Sequence, residues 1–170
     1  MYIAVIGYGT VGSGVVEVLH KNHDSIVSKS TQKDLELKYI LDLRDFPGDP
    51  NEDKFIKDFN IILNDDSVKI VVETMGGLHP AFEFVSSLLK AGKSVVTSNK
   101  ELVAQKGYEL LTLADENNVN FLFEASVGCG IPIIRHFAVP RGKLDRRNSR
   151  HLKRHYKLYT HYDDRAEYEL

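Results

Sequence analysis

Tryptophan is absent, and cysteine occurs once, at Cys129. A single thiol excludes an internal disulfide and any zinc site built on several cysteines. No apolar run approaches the ~20 residues that a membrane-spanning helix needs. No basic segment leading into an apolar stretch opens the chain, so no secretory leader is expected. Nor does one charge sign dominate: 22 Lys+Arg stand against 24 Asp+Glu, a formal net charge of −2. These absences leave a cytoplasmic protein with no membrane and no nucleic-acid partner as the expectation, and 170 residues suit about one domain.

The near-neutral average hides a split. Residues 1–135 hold 13 basic and 19 acidic side chains, whereas residues 136–170 hold 9 and 5. The last 35 residues also carry four of the seven histidines and four of the eight tyrosines, and their apolar residues keep no sustained period. Two regions are expected: a body over 1–135, and an irregular basic tail over 136–170.

The body alternates short apolar runs with longer amphipathic ones. Residues 2–6 (YIAVI) are almost wholly apolar and stop at Gly7, the pattern of a buried parallel strand. A helix follows, with Val11, Val15, Val18, Leu19 and Ile26 expected along one face. Further strands are expected at 37–41, 69–73, 94–97 and 120–124, with helices at 81–90 and 100–116. Such alternation means βαβ units: an α/β fold with a Rossmann-type doubly wound parallel sheet.

Gly7, Gly9 and Gly12 form G-x-G-x-x-G between the first strand and the first helix. The first glycine permits the tight turn, the second lets a pyrophosphate reach the backbone, and the third lets helix and strand pack closely. The helix start, through Thr10 and Val11, offers free N–H groups and a partial positive charge to phosphate. In a ligand-free protein the same glycines would only make a turn. With both flanks correct, the motif predicts a bound dinucleotide.

The second strand ends at Asp42, about 30 residues past the loop rather than the typical ~20. Its carboxylate suits a ribose 2′-hydroxyl and so NAD. Arg44, two residues on, suits a 2′-phosphate and so NADP. Both also read as surface charges of a loop, and the choice of cofactor stays open at this point.

Four segments, GYGTVGSGV (7–15), VVETMGG (71–77), SVVTSNKELVA (94–104) and FEASVGCGIPIIR (123–135), occur in that order. Together they resemble the nucleotide-binding half of homoserine dehydrogenase. The resemblance covers residues 1–135. It implies an NAD(P)-dependent oxidoreductase that interconverts aspartate semialdehyde and homoserine in threonine and methionine biosynthesis, working as a homodimer. It further implies that Gly76, Gly77, Ser98 and Asn99 approach the cofactor and that Lys100 lies between cofactor and substrate. Glu124, Val127, Cys129 and Ile131 match a loop that holds a monovalent cation, sodium, largely through backbone carbonyls.

Two rivals are open. Cys129 as a nucleophile would make the chain a different semialdehyde dehydrogenase. No histidine stands close to it in sequence within the body, which favours a small loop residue instead. A stand-alone nucleotide-binding module is the reading outside enzymes.

After IPIIR the resemblance stops in this reading frame. Residues 150–161 read RHLKRHYKLYTH. Back-translated and shifted by one nucleotide, the same codons permit GILNGTTNYILT, which is similar to the family's next motif. Residues 136–170 are therefore expected to be out of frame, with the slip near 136–145. The family's proton-donating lysine, its substrate contacts and most of its dimer interface lie beyond this point. The chain alone is then expected to lack the catalytic region.

Overall fold

In a computed structural model, residues 1–29, 35–128 and 131 are described. The expected tail over 136–170 and the loop position Cys129 lie outside them.

Six parallel strands form one sheet in the order β3-β2-β1-β4-β5-β6. They are β1 (Tyr2–Ile6), β2 (Glu36–Leu41), β3 (Phe55–Ile56), β4 (Val68–Glu73), β5 (Ser94–Thr97) and β6 (Phe121–Leu122). The chain runs outward from β1 to β3, returns through α3 (Phe59–Asn64) to β4, and moves outward again to β6. The direction of winding reverses between β1 and β4, which creates a crevice at their carboxyl ends. The doubly wound parallel α/β sheet is as expected from the alternation.

One face of the sheet is thickly covered. Val71, Val95 and Phe121 pair side by side and pack, with Leu88 and Leu89 of α4 (Ala81–Lys90) and Leu102 and Leu110 of α5 (Lys100–Glu116), into the main core. Phe59 of α3 stacks flat on Phe84 of α4 at 4.0 Å between ring centres, closing this layer at one end. On the other face a small cluster of Val5, Ile40 and Val16 joins β1 and β2 to α1 (Thr10–Lys21).

The structure departs from the sequence expectations in four places. The first helical stretch is two helices, α1 and α2 (His23–Lys29), because α1 terminates at Asn22, whose N–H bonds back to the Val18 carbonyl. Gly12 and Val16 are the buried residues of α1, while Val11 and Val18 are exposed. The close approach at Gly12 rotates the buried face away from Val11 and Val18, while Val15 still packs against the cluster of Val5, Val16 and Ile40. Strand β3 and helix α3 were not foreseen, since elements of two and six residues are too short to show a period. Finally, the last strand is only Phe121–Leu122, and Glu124 opens the short helix α6 (Glu124–Gly128) instead of closing the strand.

At the amino ends of the strands, Lys93 is almost fully buried. Its Nζ donates to the carbonyls of Asp65 (2.6 Å) and Val68 (3.1 Å), so the buried ammonium is satisfied by the turn that starts β4. Burial pushes its pKa down, against the pull of Asp66 and Asp65.

Adjacent residues of β6 test the difference between the faces. Phe121→Ala is expected to cost about 3–5 kcal/mol, because it opens a hole in the main core. Leu122→Ala, half exposed on the other face, is expected to cost less than about 1 kcal/mol. Denaturant midpoints of the two variants, at constant slope, measure both.

Candidate dinucleotide site

The site is assembled at the carboxyl ends of β1, β2 and β4. Gly7 turns the chain with φ +91°, and its N–H donates to the Leu41 carbonyl at 2.8 Å. The left-handed conformation there favours glycine. Gly9 caps α1 without a side-chain bond, and the first intrahelical bond runs from the Ser13 N–H to the Gly9 carbonyl. The amides of Thr10, Val11 and Gly12 therefore have no intrahelical acceptor and point out of the helix start.

The glycines at 9 and 12 have opposite reasons to lack a side chain. A Cβ on Gly12 would sit 1.9 Å from the Gly7 carbonyl oxygen and 2.9 Å from Thr74 Oγ1. A Cβ on Gly9 would meet nothing within 4 Å. Packing dictates Gly12, whereas the space above Gly9 is open and lies where a phosphate would meet the helix amides. Thr74 locks the turn from β4: its hydroxyl lies 2.9 Å from the Gly7 carbonyl and 3.1 Å from that of Ile6.

A cleft of about 440 Å³ opens beside this turn. Its floor is Gly7, Tyr8, Gly9 and Thr74, and its walls are Leu41–Arg44 on one side and Met75, Pro80 and Phe84 on the other. Phe59 and Lys57 complete the far end. The lining is largely apolar, as for a flat heterocycle, with cations at the rim.

Asp42 and Arg44 meet each other rather than standing free. The Asp42 carboxylate accepts from the Tyr8 N–H (2.7 Å), and from the Arg44 N–H (3.0 Å), Nε (3.0 Å) and Nη2 (2.9 Å). The Arg44 Nη2 also donates to the Tyr8 carbonyl at 3.0 Å, and its guanidinium lies over the Phe46 ring. The Arg44 guanidinium, with the two backbone amides, holds the Asp42 carboxyl well below the usual carboxylate range despite partial burial. Tyr8 reinforces the assembly: its ring meets Phe46 and Phe55 edge-on, and its hydroxyl donates to Asp49 at 3.0 Å.

A second network joins the neighbouring strand ends. The buried Glu73 carboxylate accepts from the Met75 N–H at 2.8 Å and from the Thr97 hydroxyl. Thr97 Oγ1 in turn accepts from the Asn99 N–H at 2.9 Å. Asn99 caps α5 by accepting from the Leu102 N–H, and its Nδ2 donates to the Gly77 carbonyl at 2.6 Å. The loops of Gly76–Gly77 and Ser98–Lys100 are thereby tied together, with Lys100 exposed at the first turn of α5.

Of the residues expected from the sequence, Gly7, Gly9, Asp42 and Arg44 line the cleft, and Thr10, Val11 and Gly12 head the helix beside it. Gly76, Gly77, Ser98, Asn99 and Lys100 sit at the next strand ends, outside its lining. Glu124 and Val127 fall on α6, and Ile131 is exposed after it. Cys129, the remaining expected cation ligand, lies outside the described residues. The sequence reading missed Tyr8, Leu43, Lys57, Phe59, Thr74, Met75, Pro80 and Phe84 in the lining, and Glu73 behind it. Tyr8 and Leu43 each lie between two residues that the sequence did mark, but no local pattern connects Lys57, Phe59 or Phe84 to the loop at residue 7.

An open parallel sheet, a glycine turn at its switch point and a helix start facing an apolar cleft define a Rossmann-type dinucleotide-binding domain. The family described as homoserine dehydrogenase, NAD binding domain, matches residues 7–124. The chain belongs to the homoserine dehydrogenase family by this domain. The homoserine dehydrogenase of Lactococcus lactis is 37% identical over 142 residues, spanning 80% of this chain and 33% of that protein. The solved homoserine dehydrogenase of Thiobacillus denitrificans superposes with a TM-score of 0.73 at 33% identity, over 81% of this chain and 32% of the other. A hyperthermophilic archaeal homoserine dehydrogenase, solved in complex with NADPH, superposes with a TM-score of 0.65 at 26% identity, over 81% and 47%. The chain thus spans about a third of the length of the curated relatives it matches. Among the described residues no helix is long and apolar enough to cross a membrane.

Two substitutions separate folding from binding. Gly12→Ala is expected to destabilise the domain by about 1–3 kcal/mol, since backbone must move to admit the methyl. Gly9→Ala is expected to leave the thermal midpoint within a degree or two, while weakening dinucleotide binding roughly tenfold or more. Asp42 gives a pH signature. Its carboxyl binds a proton less readily folded than unfolded, so its stabilising contribution is complete above the ordinary carboxylate pKa of about 4 and fades as pH falls below it. Acid unfolding of Asp42→Asn is therefore expected to be shallower between pH 4 and pH 2 than that of the wild type, by about one fewer proton taken up at most.

Proposed function

We propose that residues 1–135 are the cofactor-binding part of a homoserine dehydrogenase and hold NADP(H) in preference to NAD(H). One observation carries the preference. Asp42 already accepts four hydrogen bonds, so a ribose 2′-hydroxyl finds no free lone pair on it. Arg44 and Lys57, the latter paired with the exposed Asp45, both border the cleft, and a 2′-phosphate can engage the two cations without displacing Asp42. The pyrophosphate belongs over Gly9, against the amides of Thr10, Val11 and Gly12. The adenine fits the apolar slot of Leu43, Pro80 and Phe84, which leaves the nicotinamide toward Gly76, Gly77, Ser98 and Lys100.

When bound, the nicotinamide supplies hydride chemistry between aspartate semialdehyde and homoserine. This chain positions it: the bonds from Glu73 through Thr97 to Asn99 hold the two strand-end loops, and the Lys100 ammonium carries a positive charge for a phosphate or carboxylate. A group able to protonate the carbonyl oxygen belongs to the family's catalytic region, as does most of the dimer interface. Glu124, Val127, Cys129 and Ile131 are the residues that would hold the family's monovalent cation, largely through backbone carbonyls. A cytoplasmic location fits a biosynthetic enzyme of this class.

Residues 136–170 are read as out of frame. The charge reversal after residue 135, the recovered GILNGTTNYILT, and matches that stop at about four-fifths of the chain support this. Sequencing the locus tests it; codons at 150–161 that do not yield the motif in the shifted frame would end it.

Titration of the purified chain with NADPH and NADH tests the cofactor reading. NADPH is expected to bind at least tenfold more tightly, and Arg44→Ala to weaken NADPH by roughly tenfold or more while changing NADH by less than about threefold. Equal loss for both cofactors would refute the assignment of Arg44 to the 2′-phosphate. No homoserine-dependent reduction of NADP is expected from the chain alone.

A further inference from the structure

Three aromatic rings meet where the segment after β2 folds back beside the glycine turn. Phe46 stacks on Phe55 of β3 at 4.8 Å between ring centres, and Tyr8 meets Phe46 and Phe55 edge-on at 5.0 and 4.9 Å. The backbone turns directly after Phe46, whose carbonyl accepts from the Asp49 N–H at 3.2 Å. The Phe46 ring is therefore fixed by β3, by the phosphate loop and by its own turn. It is half-buried and does not line the cleft. What it carries is a cation: the Arg44 guanidinium carbon lies over the ring, 5.1 Å from its centre.

Arg44 combines exposure with restraint. Its side chain is 62% exposed, a setting in which a long side chain ordinarily samples many rotamers. Yet three of the N–H donors of its guanidinium are already engaged. Nε and Nη2 donate to the Asp42 carboxylate, and Nη2 donates again to the Tyr8 carbonyl. The N–H groups of Nη1 have no acceptor among the described residues, so they are what the side chain has left for a ligand. The bonds to Asp42 fix one edge of the group, and the ring beneath resists its swinging about that edge. A guanidinium with spare donors is thus held still at the border of the cleft before any ligand arrives.

Such preorganisation favours binding of an anion, because the ordering of the side chain is already complete. Lys57, the other cation at the border, pairs with the exposed Asp45 and lies over no ring among the described residues. The two cations therefore differ in how firmly they are set, and the difference traces to Phe46.

We propose that Phe46 is a specificity-determining residue. It positions Arg44, and so sets how strongly the domain prefers a dinucleotide carrying a ribose 2′-phosphate over one carrying a 2′-hydroxyl. This deepens the cofactor reading above and rests on it. Phe46 acts through Arg44 alone, without lining the cleft that holds the cofactor.

The purified 170-residue chain and its variants are titrated with NADPH and with NADH. Phe46→Leu keeps apolar bulk against Phe55 and Tyr8 but removes the aromatic face. It is expected to weaken NADPH roughly three- to tenfold and NADH by less than about twofold. Phe46→Tyr restores the face and is expected to hold NADPH within about twofold of the wild type. In an Arg44→Ala background, Phe46→Leu is expected to cost NADPH nothing further, because the group it positions is gone. Phe46→Met repeats the comparison with an adaptable side chain, so that a loss of packing in one variant does not decide the outcome. The proposal is overturned if both Phe46→Leu and Phe46→Met leave NADPH unchanged or weaken the two cofactors equally. It is also overturned if Phe46→Tyr fails to restore the preference, or if Phe46→Leu weakens NADPH further without Arg44. Selective loss of NADPH in Arg44→Ala beside an unchanged Phe46→Leu would leave the cofactor reading standing and remove only the role of Phe46. Equal loss of both cofactors in Arg44→Ala would refute the 2′-phosphate reading itself, and the role of Phe46 would fall with it.

Discussion

Everything at the site depends on how closely α1 approaches the end of β1. The Gly12 backbone lies so near the Gly7 carbonyl that no side chain fits between them. That contact fixes the direction of the helix and therefore where its free amides point. Thr74 bonds the same carbonyl from β4, so the turn is held from both sides of the switch point. The open space above Gly9 exists because the helix is anchored one turn further along.

Around that anchor, the polar groups behave as braces. Asp42 and Arg44 clamp the backbone of Tyr8 through its N–H and its carbonyl, which holds the glycine loop against the β2 end. Glu73 does the same for the loops after β4 and β5 through Met75, Thr97 and Asn99. Charge on Asp42 is stabilised by the adjacent guanidinium rather than by solvent, so the clamp weakens in acid. A carboxylate at the end of the second strand can thus be an anchor for an arginine, and it is this arginine that borders the cleft.

Most of the fold was legible because its signals are local. The run at 2–6, the glycines at 7, 9 and 12, and the helices at 81–90 and 100–116 each carry their own pattern, and the structure has them at those positions or within a residue. The short elements were not legible: Phe55–Ile56 exists as a strand only because β2 offers it an edge. The site divides in the same way. The phosphate loop can be read from spacing, whereas the slot formed by Leu43, Pro80 and Phe84 is brought together by topology across some forty residues of chain. The valine stripe of α1 misled in part for a related reason: Val15 packs as expected, but the glycine buried by close approach rotates the helix so that Val11 and Val18 face outward.

The rims of the sheet are unusually brief. Among the described residues both outermost strands, β3 and β6, are two residues long. Each exposes only a few unpaired amides and carbonyls, too few to template another chain's backbone into a ladder. Along these two described edges, recognition by side-chain shape is favoured over strand addition, and crowding of partly folded copies is discouraged by the same economy of edge.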